Sequence, residues 1–333
     1  MKILIKILAV VICCYALYFV SSNSFLKKDD GSFIIGINSW TGYDPFIIAD
    51  KKNLFSKNGI NVKIKRFKST VDEVDAIKNG KIDAGGFTLD EVFSLIDSGL
   101  KGKIVLVVDY SFGGDMLIGQ QYITSVTDLV GKTVGYEGTV VGEFLLNRAL
   151  EDNFIKPDSV ELVNISADNW IKSFKEKEVD ALVCFNPVST ILQKEYSGNL
   201  LYSSENMPFE IIDVLFIPEE IYNRKKETIK SVLISWFDTI KFIENNLDKS
   251  AEIISSVKGI SPKVYKEGLK GLKAPDIQQN ISTMNPKSKK NIYKYSQKIV
   301  DFMLFKGLLS SRINTSELFV SDTLLHLNFK TEP

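Results

Sequence analysis

The segment FIIGINSWTGYDPFIIADKKNLF, residues 33–55, decides the fold class because it joins a strand signal to a helix signal across a short turn. Its first five residues form an apolar run that is typical of a buried strand. Asp44 is a good N-cap and Pro45 suits the first helical position, so we predict a helix that begins there. The turn carries Trp40 and Tyr43, two aromatic residues that either close a core or hold a ligand.

Strand and helix signals keep alternating after this segment. The first helix is predicted to end at Asn58-Gly59, a C-terminal glycine signal. Two capping boxes, Thr70–Glu73 and Thr88–Glu91, open further helices. Strands are predicted for the runs at residues 60–67, 81–87 and 103–110. This βαβα order indicates an α/β fold, and it favours a largely parallel sheet with helices on both faces.

A second α/β lobe is predicted to follow the first. Its strands are expected in the runs at residues 116–120, 132–136 and 180–187, whereas EIIDVLFIP at 210–218 is predicted to return to lobe one. Crossovers near residues 111–116 and 213 would form a hinge. The expected organisation is lobe one at residues 30–114 plus 214–333 and lobe two at residues 115–213.

An internal echo supports two similar lobes. Residues 77–84 and 174–181 have the same spacing, in which a helix end and an aliphatic residue precede Asp-Ala at the start of a strand. Asp83 and Asp180 are therefore predicted to have a structural role at strand ends.

The N-terminus, residues 1–29, has the composition of a signal peptide. Lysines precede an uncharged run at residues 7–20, which is short for a membrane span of about 20 residues. Cleavage of this leader and its retention as a membrane anchor both stay open, and either predicts export to the periplasm. Cys184 is the single cysteine after the leader, so we expect no intramolecular disulfide and a buried thiol.

Composition argues against several classes of function. The net charge is +0 and no basic stripe is interleaved with aromatic residues, so no nucleic-acid partner is expected. His326 is the only histidine in the chain, which argues against a Ser-His-Asp triad and a histidine metal cluster. We therefore predict a protein that is not an enzyme and that has no metal and no cofactor.

The turns that follow the predicted strands bring polar and aromatic residues together. In open α/β sheets, ligands bind beyond the carboxyl ends of the strands, where helix N-termini point. These turns and the second crossover supply the candidate ligand-binding residues Trp40, Tyr43, Asp44, Phe87, Thr88, Asp90, Phe112, Asp115, Glu137, Thr139, Val140, Phe185, Asn186 and Asp213.

The same turns carry a resemblance. WTGYDPFIIADKKNLF (40–55), GKIDAGGFTLDE (80–91), LVGKTVGYEGTVVGEFLL (129–146) and VDALVCFNP (179–187) are similar to periplasmic substrate-binding proteins of ABC importers. More narrowly, they resemble the nitrate, sulfonate, taurine and thiamine-pyrimidine-precursor group. The resemblance implies a type II periplasmic-binding-protein fold with a ligand cleft between two hinged lobes. It also places Trp40, Tyr43, Thr88, Thr139, Val140 and Asn186 on ligand-contacting turns.

The function implied is capture of a small molecule for an ABC permease and its ATPase by a monomeric protein. The candidate turns hold Asp44, Asp90, Asp115 and Glu137 but no Lys or Arg. An acidic cleft with aromatic walls suits an amine or a pyrimidine-like compound through carboxylate and cation–π contacts. Two alternatives stay open: a sulfonate-, nitrate- or taurine-like anion bound by helix N-termini, and a sensory module that signals through a partner.

Overall fold

The computed structural model describes residues 31–289, 291–325 and 327, and these form two mixed sheets flanked by helices. The predicted leader and His326 lie outside the described residues. The strands are β1 Phe33–Ile37, β2 Val62–Arg66, β3 Ala84–Thr88, β4 Gly102–Ser111, β5 Asp115–Gly119, β6 Thr133–Tyr136, β7 Glu161–Asn164, β8 Ala181–Phe185, β9 Asn199–Ser203, β10 Ile212–Pro218 and β11 Leu272–Lys273.

The helices cover both faces of the sheets and fill most of the C-terminal third of the chain. They are α1 Asp44–Lys51, α2 Leu54–Lys57, α3 Thr70–Lys78, α4 Leu89–Asp97, α5 Val140–Asp152, α6 Trp170–Lys175, α7 Val188–Glu195, α8 Glu219–Arg224, α9 Lys226–Asn245, α10 Leu247–Lys258, α11 Pro262–Lys270, α12 Ile277–Thr283, α13 Ile292–Phe305 and α14 Asp322–Leu325. Within the described residues, none of these helices combines the length and the apolar character that a membrane span requires.

Each sheet combines a parallel part with antiparallel strands. The first sheet, which defines lobe one, has the order β11-β4-β10-β3-β1-β2, and the second, which defines lobe two, has the order β7-β6-β8-β5-β9. Strands β2, β1 and β3 are parallel, as are β7, β6 and β8. Two lobes of this kind confirm the predicted fold class. The exact lobe boundaries stay a prediction.

The expectation of largely parallel sheets was wrong. β10 pairs antiparallel with both β3 and β4, and β5 pairs antiparallel with both β8 and β9. The reason is that both strands follow a crossover: the chain enters lobe two at β5 and returns to lobe one at β10. Each of them starts at the edge where its parallel neighbours end, so it must run in the opposite direction.

Serine side chains form hydrogen bonds between the two crossovers. The hydroxyls of Ser111 and Ser204 lie 2.7 Å apart, and the backbone N–H of Gly113 donates to Ser204 Oγ at 2.8 Å. The backbone N–H of Asp115 donates to Ser111 Oγ at 3.2 Å. These hydrogen bonds link the outgoing strand β4 to the segment that returns toward β10.

Two predicted helix starts are corrected by the structure. Ser69, not Thr70, caps α3, because its hydroxyl accepts the N–H of Asp72 at 3.2 Å. Glu73, the last residue of the predicted box, is fully buried instead. Asp44 is the first helical residue of α1 and not its N-cap, since a short 3₁₀ turn leads straight into the helix. The predicted first helix is also divided in two at Asn53, whose φ is +55°.

The internal echo corresponds to a repeated contact. Asp83 Oδ2 accepts the backbone N–H of Ile34 at 2.8 Å, and Asp180 Oδ2 accepts that of Thr133 at 2.9 Å. Each aspartate thus fastens the start of one parallel strand to its neighbour, which agrees with the structural role predicted for both. Cys184 is buried and unpaired, as expected.

Candidate functional site

A cavity lies between the two lobes, beyond the carboxyl ends of the parallel strands. Its free volume is only about 20 Å³, which is enough for a single water molecule, so the lobes leave little empty space between them. Its walls are formed by the ends of strands and by the starts of the helices that follow them. The lining residues are Asn38, Trp40, Thr70, Thr88, Glu91, Asp115, Glu137, Thr139, Val141, Phe185 and Asp213.

The aromatic wall is built around Trp40. Its indole N–H donates to Asp109 Oδ2 at 3.1 Å, which fixes the plane of the ring. Phe185 meets Trp40 edge-on from the other lobe, with ring centroids 5.9 Å apart and planes at 85°. A Cβ at Gly114 would lie only 2.4 Å from the Trp40 ring, so only glycine allows the backbone to approach the indole this closely. Trp40 therefore walls the cavity and at the same time packs against the hinge.

Four carboxyl groups line the cavity, two from each lobe. Glu91 and Asp213 belong to lobe one, and Asp115 and Glu137 belong to lobe two. All four are buried, and none of the residues that line the cavity is Lys, Arg or His. A buried carboxylate costs much free energy unless it is paired, hydrogen-bonded or protonated. The cavity is therefore suited to positive charge.

Burial shifts the acidity of these groups. Burial raises the pKa of Asp115 to about 7 despite the hydrogen bond from Ser111. Burial likewise raises the pKa of Glu137 to about 7, against the opposing hydrogen bond from the backbone of Thr70. The pKa of Asp213 is raised well above its usual value, first by burial and then by the nearby charge of Asp109.

Glu91 and Asp109 behave in the same way. Burial, followed by the charge of Asp90, raises the pKa of Glu91 well above its usual value. Burial raises the pKa of Asp109, which lies just behind Trp40, to about 8. Asp109 is the register partner of Asp213 on the adjacent strand, so a second carboxyl group lies beside Asp213, behind the residues that line the cavity.

The starts of α3, α4 and α5 lie at the cleft, and carboxylates of the protein already accept one N–H at the start of α3 and one at the start of α4. The backbone N–H of Thr70 donates to Glu137 Oε1 at 3.2 Å, and that of Thr88 donates to Glu91 Oε2 at 2.8 Å. At the start of α5, the backbone N–H of Val141 favours the ionised form of Asp90 and so lowers its pKa, although burial has the larger effect and raises it. A helix N-terminus favours negative charge, and here acidic side chains of the protein itself supply it.

Several contacts cross the cleft and hold the lobes together. The hydrogen bond from Thr70 to Glu137 joins lobe one to lobe two, as does the ring contact between Trp40 and Phe185. Lys306, just after α13, forms an ion pair of 2.7 Å with Glu143 on α5. The structure therefore shows the cleft in a closed arrangement.

The predicted site residues divide into two groups. Those that line the cavity are Trp40, Thr88, Asp115, Glu137, Thr139, Phe185 and Asp213. Those that lie away from its surface are Tyr43, Asp44, Phe87, Asp90, Phe112, Val140 and Asn186. Ligand contact stays a prediction for both groups.

Most residues of the second group have evident structural contacts. Tyr43 is fully buried, and its hydroxyl donates to Asp213 Oδ1 at 2.5 Å, so it positions a cavity carboxyl group from behind. Asp44 forms a buried ion pair with Lys258. Phe112 is covered by the ammonium group of Lys273, 3.1 Å from the ring centroid. Asn186 Oδ1 accepts the hydroxyls of Ser189 and Thr190, at 2.9 and 2.6 Å, and so contacts the first turn of α7 through its side chains.

The remaining three lie in the core or at helix starts. Phe87 is fully buried in the core of lobe one. Asp90 and Val140 are in the first turns of α4 and α5, directly behind cavity residues.

Four cavity residues were not among the sequence candidates. They are Asn38, Thr70, Glu91 and Val141. In the sequence analysis, Glu91 and Thr70 were named only as members of the two capping boxes. A sequence signal existed for both, since each is in the first turn of a helix that follows a strand. Among the described residues, no group of three or more His, Cys, Asp or Glu is arranged to hold a metal ion.

Comparison with known proteins identifies related sequences and folds. A model of the family described as NMT1/THI5 like matches residues 40–246. A Brucella abortus (strain 2308) protein, named as a candidate binding protein, is 23% identical over 278 residues, covering 83% of this chain and 85% of the relative. The taurine-binding periplasmic protein of Escherichia coli (strain K12) is 23% identical over 240 residues, covering 68% of this chain and 74% of the relative.

A similar fold is found among solved structures. The ligand-binding component of an ABC-type import system from Staphylococcus aureus, solved with zinc bound, matches with a TM-score of 0.76 at 15% identity. The match covers 90% of this chain and 100% of that chain.

Proposed function

Since the chain belongs to the NMT1/THI5-like family, we propose that it is the solute-binding component of an ABC importer and that it captures a small organic cation between its lobes. The ligand class is an amine or a protonated pyrimidine-like compound. The protein does no chemistry in this role. In the periplasm, where the predicted leader would direct it, the protein closes on its ligand and presents it to the permease, which works together with its ATPase.

The observation that carries this proposal is the charge of the cavity. Two carboxyl groups from each lobe line it, together with two aromatic rings and no cationic side chain. A positive ligand would neutralise the buried carboxylates, and an ammonium or a planar cation would also lie favourably against the face of Trp40. Behind this lining, buried Asp109 accepts the indole N–H of Trp40 and adds a further carboxyl group.

An anionic ligand is the alternative, favoured by the relative that is named for taurine. Taurine carries a sulfonate, and sulfonates can bind to helix N-termini. In this chain, however, Glu137 and Glu91 accept N–H groups at the starts of α3 and α4, and Asp90 acts electrostatically with the start of α5. An anion would have to displace carboxylates that are held only a few ångströms away, and it would add negative charge to a cavity that has no counter-ion.

The test is thermal unfolding of the purified protein with a panel of ligands. The panel contains diamines, quaternary amines and aminopyrimidines on one side and taurine, alkanesulfonates and nitrate on the other. A ligand at about a thousand times its Kd adds roughly 4 kcal/mol to the free energy of unfolding, which raises the Tm by several degrees. We expect shifts with the cations alone.

A matched pair of variants locates the effect. Asp115→Asn removes a cavity charge and should abolish the shift, whereas Asp158→Asn removes an exposed charge of lobe two and should leave it intact. A shift with sulfonates or nitrate alone would overturn the choice of a cation and would assign the cavity acids to capping and hinge contacts.

A further inference from the structure

We infer that protons and the ligand cation compete for the same carboxyl groups, so that the ligand-free lobes close in acid and open in alkali. This inference rests on the proposed function, because it assigns the regulation of the same cleft. Its physical basis is that closure is disfavoured while the facing walls carry like charge. Either a cation or protons can remove that obstacle.

The geometry places like charges on both sides of the closing surface. Lobe one contributes Glu91 and Asp213, and lobe two contributes Asp115 and Glu137. Glu91 and Glu137 belong to different lobes and lie away from the crossovers, so their charges approach one another only when the lobes come together. Asp115 and Asp213 lie beside the crossovers and add negative charge at the base of the cleft. Like charges brought together in a medium of low dielectric constant repel each other strongly. Closure with all four groups ionised is therefore opposed.

The helices and strands packed around the cleft contribute further acidic side chains and few cationic ones. In lobe one, α3 contributes Glu73, α4 contributes Asp90 beside Glu91, β4 contributes Asp109, and the 3₁₀ turn contributes the Tyr43 hydroxyl. In lobe two, β8 contributes the buried Cys184 thiol.

The periphery of the cleft follows the same pattern. The charges of Asp72 and Asp168 act on Glu137. The cations that come near are already paired, since Lys258 contacts Asp44 and Lys306 contacts Glu143.

The acidity of the wall agrees with this geometry. In the closed arrangement, burial raises the pKa of Asp115 from 3.8 to about 7 and that of Glu137 from 4.5 to about 7. In an open cleft these groups are exposed to water and return toward their ordinary values. The closed form then binds protons more tightly than the open form, so its share of the population rises as the pH falls below about 7.

Closure without ligand takes up protons, whereas binding of a cation releases them. A cation that enters the cleft favours the ionised carboxylates, so protons held by the closed form are released to solvent. Cation affinity should therefore weaken as the pH falls from 8 toward 5. Binding at pH 7 should give a heat that changes with the ionisation enthalpy of the buffer, because the buffer takes up the released protons.

The deciding experiment is small-angle X-ray scattering of the ligand-free protein from pH 5 to pH 8.5. Far-UV circular dichroism of the same samples checks that the protein stays folded. We expect the radius of gyration to fall on acidification, with a midpoint near pH 7, at constant ellipticity. A radius of gyration that does not change with pH in the folded protein would overturn the inference.

Two double variants sharpen the test. Asp115→Asn with Glu137→Gln removes two cleft charges of lobe two, one at the start of β5 and one just after β6. This protein should therefore be compact at pH 8 without ligand. Asp75→Asn with Asp158→Asn removes two exposed charges, one from each lobe, and should keep the pH dependence of the wild type. If the first variant fails to fold, the wild-type titration still decides.

The outcomes separate this inference from the proposed function. Compaction in acid without binding of any cation in the panel would support closure by protonation and overturn both the ligand class and its competition with protons. Binding of cations without acid compaction would support the ligand class and overturn the inference.

Discussion

Replacing Lys258 by methionine should destabilise the protein in a pH-dependent way, because this lysine neutralises a buried carboxylate. Lys258 Nζ lies 2.5 Å from Asp44 Oδ1, and the side chains are only 9% and 1% exposed. Lys258 also donates to the carbonyl of Ser39, next to Trp40, at 3.0 Å. Removing one partner of a buried ion pair leaves the other charge uncompensated, at a cost of about 3–5 kcal/mol.

The sign of the pH dependence follows from Asp44. Burial raises its pKa from 3.8 to about 6, although Lys258 acts in the opposite direction. Because the pKa of Asp44 is higher in the folded state than in the unfolded state, its contribution to stability is complete below pH 3.8 and is lost as the pH rises through about 6. This loss amounts to about 3 kcal/mol in the free energy of unfolding. Without Lys258 the carboxyl group is protonated more readily, so the cost of the substitution should be small at pH 5 and reach its full value near pH 8.

Urea unfolding of wild type and Lys258→Met at pH 5 and pH 8 measures this difference directly. At pH 8 we expect the midpoint to fall with an unchanged slope, since the fold itself is retained. The control is Asp44→Asn with Lys258→Met, which removes both charges and should recover most of the loss at pH 8. Equal losses at the two pH values would refute the ion-pair reasoning and would assign the effect to packing or to the Ser39 contact.

Two further predictions concern backbone contacts. Gly114→Ala would place a Cβ 2.4 Å from the Trp40 ring, so the Tm should fall and the tryptophan emission should change. The control is Gly142→Ala, whose Cβ would lie 3.4 Å from its nearest neighbour; this variant should be neutral or slightly stabilising. Unchanged emission in the first variant would contradict the packing described. Asp180→Ala removes the acceptor of the Thr133 N–H and should lower the free energy of unfolding by about 1–3 kcal/mol in urea; a neutral result would show that this strand start needs no such contact.

The fold was predictable where the signals are local. The first strand, the capping box at Thr88 and the cap at Thr139 all lie where the sequence indicated. The direction of β10 was not predictable in this way, because it depends on where the chain re-enters the first sheet about a hundred residues after β4 ends. Local patterns carry no information on that return.

The site was predictable at the level of turns but not of side-chain direction. Trp40 and Tyr43 were placed on one turn, and the 3₁₀ turn of residues Thr41–Tyr43 then directs the first toward the cavity and the second into the core. Glu91 was missed because a carboxylate in the first turn of a helix already has a sufficient local explanation. Its place in the cavity wall depends on the opposite lobe, and no pattern in the sequence shows that this lobe comes close to Glu91.

The position of β10 also sets the order in which the chain can fold during synthesis. This strand lies between β3 and β4, near the middle of the first sheet, although the ribosome adds it about a hundred residues after β4. Until residue 218 has been made, β3 and β4 lack their shared partner and leave apolar edges unpaired. The strands of the second sheet, by contrast, lie within residues 115–203 and are complete earlier. The lobe whose first strand is synthesised first is therefore the lobe that must finish last.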